Sequence, residues 1–231
     1  MTTYDFKDGA GQVPAHQHSN GGGWVADSAQ VVASAFVGPD ARVYGTAEVY
    51  GTAEVFGTAR IYGTAEVHDN ARVYGNAEVR GNARVFGNAV VYGIAWIYDN
   101  ARVFGNTQVY GNAKVCGNAE VYDNAKVYGN AVAYDGAKVC DNAVVYGNAK
   151  VCDNAVVLGN AVIGMRLDRF DAAIKENTMS DDLIEKLRWS AASTEVSEEL
   201  TAYGKLLDAA ATEIERLREA LRGAKDITPM N

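Results

Sequence analysis

The sequence predicts a mainly β fold, a parallel solenoid of triangular coils, followed by a C-terminal α-helical region. Three observations predict it. From residue 27 to 164 the chain is written in six-residue words such as VYGTAE, VYGNAE and VYDNAK. In each word an aliphatic residue is followed four places later by a small one, from Val43 and Ala47 to Val157 and Ala161; only Ala133 and Thr107 depart from the pattern. After Gly164 the six-residue period stops and helical spacing takes over. A repeat of fixed period sets the architecture before any motif can be weighed.

Residues 1–26 read as an N-terminal extension and cap. The run Gly21-Gly22-Gly23-Trp24 ends it, and Trp24 is expected to plug the open end of the first coil. The glycines do not make a phosphate loop, because no Lys-Ser or Lys-Thr and no strand–loop–helix context follows them. His16 and His18 are a candidate metal pair. On extended chain both imidazoles would point to one side, and in a trimer six could converge on one ion. The ordinary alternative is a polar segment leading into the cap.

Residues 27–164 read as the solenoid. An aliphatic and an alanine four apart have the same parity, so in extended chain both face inward. Between them lies Gly or Asp, then usually Asn, which supply turn chemistry through positive φ or local side-chain bonds. Three short strands and three corners close a coil of 18 residues, so this stretch holds about seven or eight coils, stacked ~4.8 Å apart. A narrow interior admits Val and Ala, which accounts for the monotony of the inward positions. Thr46, Thr52, Thr58 and Thr64 stand where later words have Asn. Because Thr avoids left-handed backbone, these early corners are expected to differ in geometry.

Residues 18 apart should stack in columns. One corner would carry an aromatic ladder of Phe56, Tyr74, Tyr92, Tyr110, Tyr128 and Tyr146. A second would hold Tyr50, His68, Phe86, Phe104, Tyr122, Cys140 and Leu158, and a third Tyr44, Tyr62, Arg80, Tyr98, Cys116, Tyr134 and Cys152. Stacked rings shield a corner and tie neighbouring coils together; the other reading of such a ladder is a partner surface. Outward strand positions mix signs, as in Glu48, Glu66, Arg84, Arg102 and Glu120, and mostly solubilise their face. They turn apolar at Val90, Ile94 and Trp96 and again at Val132, Val144, Val156 and Val162. A surface that stops being polar is usually covered, so subunit contacts or the C-terminal segment are expected there. The three cysteines cannot pair within one chain: Cys116 and Cys152 lie two coils apart, Cys140 on another corner, and a disulfide needs Cα atoms within ~7 Å.

The words, VYDNA above all, resemble the hexapeptide-repeat superfamily of left-handed parallel β-helices. The resemblance covers the whole repeat region and implies a left-handed coil and, commonly, parallel homotrimers. It leaves chemistry open, since that superfamily includes acyltransferases, γ-type carbonic anhydrases and non-enzymatic members. The opening segment and the tandem VYGNA words also resemble hexapeptide-repeat proteins of bacteriophage genomes. Acyltransferases of this fold generally use a histidine near an inter-subunit cleft, often with a protruding loop. Here His68 occupies a ladder position and no loop interrupts the coils. The zinc enzymes need three converging histidines, and His16, His18 and His68 lack that spacing. No catalytic residue and no cofactor is therefore expected.

Residues 165–231 read as helical. The last segment carries Leu200, Tyr203, Leu207, Ala210, Ile214, Leu217 and Leu221, a heptad-patterned seam, expected either to trimerise as a coiled coil or to fold back on the preceding helices.

The 231 residues carry 29 acidic and 21 basic side chains, a net charge of −8, which disfavours nucleic acid as the partner. No apolar run approaches the ~18 residues of a membrane span and no signal peptide is visible. Three cysteines without a CxxC pair suit a reducing setting, either a bacterial or phage-infected cytoplasm or a virion. The expected function is a non-enzymatic structural or adhesive repeat protein, phage-derived and trimeric. The alternatives are an oligomeric factor binding a host protein or small ligand at inter-subunit grooves, and a hexapeptide-repeat acyltransferase.

Overall fold

The structure, a computed structural model, describes residues 2–164 and 166–167. Two strands, β1 (Thr3–Asp5) and β2 (Gln12–Gln17), form an antiparallel hairpin, and β2 pairs antiparallel with β3 (Trp24–Ala26). From β3 onward every pairing is parallel. Two-residue strands run from β4 (Gln30–Val31), β5 (Phe36–Val37) and β6 (Arg42–Val43) to β25 (Val156–Val157), β26 (Val162–Ile163) and β27 (Arg166–Leu167), and each pairs with the strand three places along the chain. Three parallel faces result. The first holds every third strand from β3 to β27, the second β4 to β25, and the third β5 to β26.

Rungs are 18 residues apart, as in Val43 opposite Ile61, Val49 opposite Val67 and Val55 opposite Val73. The chain therefore makes a β-solenoid of about eight turns from β3 to β27, against roughly 18 residues a turn. The last turn is two residues short, because Lys150 pairs with Arg166, sixteen residues on. No helix occurs among the described residues, and the helical expectation for 165–231 lies outside them apart from β27.

The inside–outside reading of the hexads agrees with the burial. The aliphatic and alanine positions from Val43 to Val151 are fully buried, Val109 and Val127 among them, and form one continuous core. Both departures from the pattern also face inward. Ala133 is fully buried between Val115 and Val151. Thr107 is fully buried too, and its Oγ1 has no hydrogen-bond partner among the described residues. An orphaned buried hydroxyl of this kind costs ~1–3 kcal/mol.

The corners correct one expectation. The residue in left-handed backbone is the Gly or Asp of each word, at φ 72° for Gly51 and 60° for Asp69. The residue after it, Thr46, Thr52, Thr58 or Thr64, has ordinary negative φ, so the threonine corners share the geometry of the later ones. Asn154, at φ 63°, is the exception. At Gly51 an added Cβ would lie 2.8 Å from both the nitrogen and the oxygen of Asp69 in the next coil, so this position sets how closely coils stack. Asp is accepted there because its carboxylate takes the next coil's amide: Gly87 N–H donates to Asp69 Oδ2 at 3.1 Å and Gly159 N–H to Asp141 Oδ2 at 2.9 Å.

The N-terminal cap also differs from expectation. Trp24 does not plug the interior; Val25 does, fully buried in the core, because parity turns Trp24 outward. Trp24 stacks on Tyr4 at 4.4 Å, while Phe6, buried, stacks on Tyr44 at 4.9 Å. The hairpin thus covers the start of the first face. Asn20 covers the start of the third, accepting from Val37 N–H and donating through Nδ2 to Ala35 O.

Candidate functional site

The outward columns align as their 18-residue spacing predicts. Phe56, Tyr74, Tyr92, Tyr110, Tyr128 and Tyr146 form one stack with ring centroids 4.7 to 5.6 Å apart. Tyr50, His68, Phe86, Phe104 and Tyr122 form a second at 4.7 to 5.1 Å. His68 is a rung of this ladder, nearly parallel to Tyr50 and Phe86, with Nδ1 3.3 Å from Asp69 Oδ1. That hydrogen bond and the one from Gly87 N–H hold Asp69 below the usual carboxylate range.

On the third corner the rings give way to Arg80, whose guanidinium lies 4.7 Å over Tyr98, and then to cysteines. None of the three cysteines forms a disulfide among the described residues, and all three are buried. Burial raises the Cys116 and Cys140 thiols above their ordinary value, which suppresses thiolate and nucleophilic character. Each cysteine follows a tyrosine one coil earlier. Hydrogen bonding to Cys116 pushes Tyr98 up to about 12, and Cys152 does the same to Tyr134, also about 12.

A second set of ladders escaped the sequence reading. Asn70, Asn88, Asn106, Asn124, Asn142 and Asn160 lie in one column, each of the first five donating its Nδ2 to the next Oδ1 at 3.0 to 3.4 Å. Asn82, Asn100 and Asn118 repeat this on the next corner, and Asn112, Asn130 and Asn148 on the last. Thr52 and Thr64 head two of the columns by donating to Asn70 and Asn82. The signal was the same spacing, applied to asparagine rather than to the rings. Two interruptions stand out: Gly136 in one column and Ile94 in another, between Asn76 and Asn112.

Ile94 is 52% exposed, whereas Val90 and Trp96 are only half-buried on their strands. Trp96 is flanked within its own chain, with Lys114 Nζ 4.8 Å and the Arg80 guanidinium 5.8 Å from its ring. Farther along, Val162 is 63% exposed and Tyr146 is also exposed. Leu200, Tyr203, Leu207, Ile214, Leu217 and Leu221 lie outside the described residues.

His16 and His18 diverge. His16 is exposed, its Nδ1 2.8 Å from Asp27 Oδ1, while His18 lies beyond the end of β2, buried, its Nδ1 3.1 Å from Asn20 O. A different group brings three metal-ligating atoms within 4.8 Å of one another: Asp123, Cys140 and Asp141. Its carboxylates already serve the coil stack, since Asp123 Oδ2 accepts from Asp141 N–H and Asp141 Oδ2 from Gly159 N–H.

Beside the Ile94 interruption lies a groove of about 240 Å³, lined by Asp40, Arg42, Thr58, Arg60, Asn76 and Glu78. Asp40, Thr58 and Asn76 come from the corner, and Arg42, Arg60 and Glu78 from successive rungs of the first face. The Arg42 guanidinium rests over Tyr4 at 5.6 Å. Glu78 accepts from Tyr62 O–H at 3.0 Å and pairs with Arg60 at 3.7 Å; burial and this carboxylate push Tyr62 up to about 12. Charges elsewhere are matched more closely, as in Arg72–Glu54, Arg84–Glu66 and Arg102–Glu120, each at 2.8 Å.

A family model, the YdcK beta solenoid repeat, matches residues 95–111. No curated protein and no solved structure matches the chain.

Proposed function

We propose that this β-solenoid repeat protein is a non-enzymatic structural or adhesive element, coiled in the left-handed sense and assembled as a homotrimer, of the kind phage genomes encode. The observation that carries this reading is the continuity of the outward columns. Rings and asparagine amides are consumed rung by rung in stacking and in hydrogen bonds between coils. Repeat proteins built this way are rigid, quasi-one-dimensional supports. His68 fits the reading, because its ring is sandwiched between two others and its Nδ1 faces Asp69. Assembly draws on the apolar lip at Ile94, on Val162, and on the heptad seam from Leu200 to Leu221. The setting that suits it is a bacterial or phage-infected cytoplasm, or a virion.

Light scattering on the full chain and on a chain ending at Gly164 tests the assembly. A trimer that survives truncation puts the contacts on the solenoid, and loss to monomer puts them on the C-terminal segment. A full-length monomer at micromolar concentration refutes the trimer. Turnover of an acyl-coenzyme A donor that disappears in His68→Ala refutes the non-enzymatic reading.

The second reading, a binding factor for a host protein or small ligand, is favoured by the groove at Asp40 and Arg42, which the structure forms within one chain.

A further inference from the structure

The geometry points to a carbohydrate-binding groove on the first face, lined by Asp40, Arg42, Thr58, Arg60, Asn76 and Glu78. The inference rests on the adhesive reading above and names the ligand class it would take.

Trp24, Arg42, Arg60, Glu78 and Trp96 are consecutive rungs of one parallel ladder. The two indoles are therefore four rungs apart, ~19 Å at the usual strand spacing, with only polar side chains between them. Trp24 is covered by the parallel Tyr4 ring, which fixes its position. With the Tyr4 ring on Trp24 and with Lys114 and Arg80 on the Trp96 ring, the indoles close the two ends of the trough, and the polar side chains between them suit the hydroxyls of a sugar chain.

The trough offers both halves of a hydroxyl's hydrogen bonding. Asp40 is an exposed carboxylate and acts as acceptor only; Arg42 and Arg60 act as donors only. A carboxylate beside a guanidinium can take the proton of one hydroxyl and donate to the oxygen of its neighbour, which is the demand of a vicinal diol. The Arg42 guanidinium is held in place by Tyr4 rather than by a paired carboxylate in the trough. Asn76 adds an amide whose Nδ2 would donate to the next asparagine in any unbroken column, but the next residue of this column is Ile94. The one solenoid column broken by an exposed aliphatic residue is thus broken at the edge of the trough. Carboxylates at both ends, Asp40 and Glu78, argue against a simple polyanion site, because a phosphate or sulfate chain would meet two like charges.

The test uses the full chain and a panel of defined neutral tetrasaccharides: glucan, galactan and N-acetylglucosamine. Binding is read by isothermal titration calorimetry and by saturation-transfer NMR. At least one member is expected to bind with submillimolar Kd. Asp40→Asn and Arg42→Gln should each weaken that binding at least about tenfold, while Asn130→Ala, on the same corner as Asp40 but five coils on, should leave it unchanged. Circular dichroism on each variant confirms that the solenoid is intact. If no tetrasaccharide binds at millimolar concentration, or if binding is indifferent to both trough variants, the inference is overturned. Neither outcome touches the oligomeric mass, so failure here is distinguishable from failure of the scaffold reading.

Discussion

Substitution at Gly111 puts the corner mechanism to a demanding test, because the larger side chain should be tolerated better than the smaller one. Gly111 sits at φ 73°, and a Cβ there would lie 3.0 Å from the nitrogen and 3.1 Å from the oxygen of Gly129 in the next coil. For Gly111→Ala, left-handed backbone costs ~1–2 kcal/mol, and forcing the close contact adds ~1–3 kcal/mol of overpacking. The sum is ~2–5 kcal/mol, or a fall in Tm of roughly 4–20 °C for a chain of this size. Gly111→Asp meets the same contact, but Asp visits this backbone region more readily, and its carboxylate can accept the Gly129 N–H as Asp69 accepts that of Gly87. That bond recovers ~1–2 kcal/mol, so the order of stability should be Gly, then Asp, then Ala. Thermal unfolding followed by circular dichroism reads the order directly. Were Ala as stable as Asp, the carboxylate-to-amide link between coils would contribute nothing and the explanation for Asp at these corners would fail.

The remaining predictions use other rungs. Thr107→Val keeps the shape and removes the orphaned hydroxyl, so it should stabilise by ~1–2 kcal/mol in urea titration; a loss would mean the hydroxyl is satisfied. Val127→Phe should destabilise by several kcal/mol, about 3 or more, through overpacking, and by more than Tyr110→Ala, which removes a half-exposed rung between Tyr92 and Tyr128. Tyr62, Tyr98 and Tyr134 are pushed up to about 12 from an ordinary 10, so their stabilising contribution is intact below pH 10 and lost as pH rises through 12. An ultraviolet tyrosinate titration should show them among the last tyrosines to ionise, together with Tyr122, which its hydrogen bond to Cys140 also raises, and together with unfolding. Asp69 is lowered from 3.8, so its contribution is present above that pH and disappears as pH falls through the lowered value; Asp69→Asn should flatten that part of the acid limb.

Much of this architecture was legible because a coil of fixed length turns sequence spacing into spatial position. Val109 inward, Tyr110 in a stack and Cys116 unable to pair with Cys152 all follow from counting sixes and eighteens. Two places resisted counting. At Thr46 to Thr64 the reading fixed on the poor tolerance of Thr for positive φ, but the glycine one residue earlier absorbs that conformation. At Trp24 the glycine run suggested a plug, whereas the parity that buries Val25 turns the indole outward against a hairpin whose antiparallel pairing no repeat announces. The groove was missed for a related reason. Arg42, Arg60 and Glu78 form one mixed-charge column of outward strand positions, and only the folded corner brings Asp40, Thr58 and Asn76 alongside it.

The central claim is that, up to the shortened last turn, positions 18 apart are vertical neighbours and positions 12 apart are not. Paired cysteines test it in a chain whose three native cysteines are replaced by alanine. Asn112 and Asn130 lie on one corner in adjacent coils, with Asn112 Nδ2 3.0 Å from Asn130 Oδ1. Their Cα atoms should be ~4.8 Å apart, inside the range a disulfide spans. Asn112 and Asn124 are twelve apart and stand on different corners. Under mild oxidation, Asn112→Cys with Asn130→Cys should form an intrachain disulfide in the folded protein, and Asn112→Cys with Asn124→Cys should not. Cross-linking of the second pair, or failure of the first, would contradict the stacking on which every column here depends.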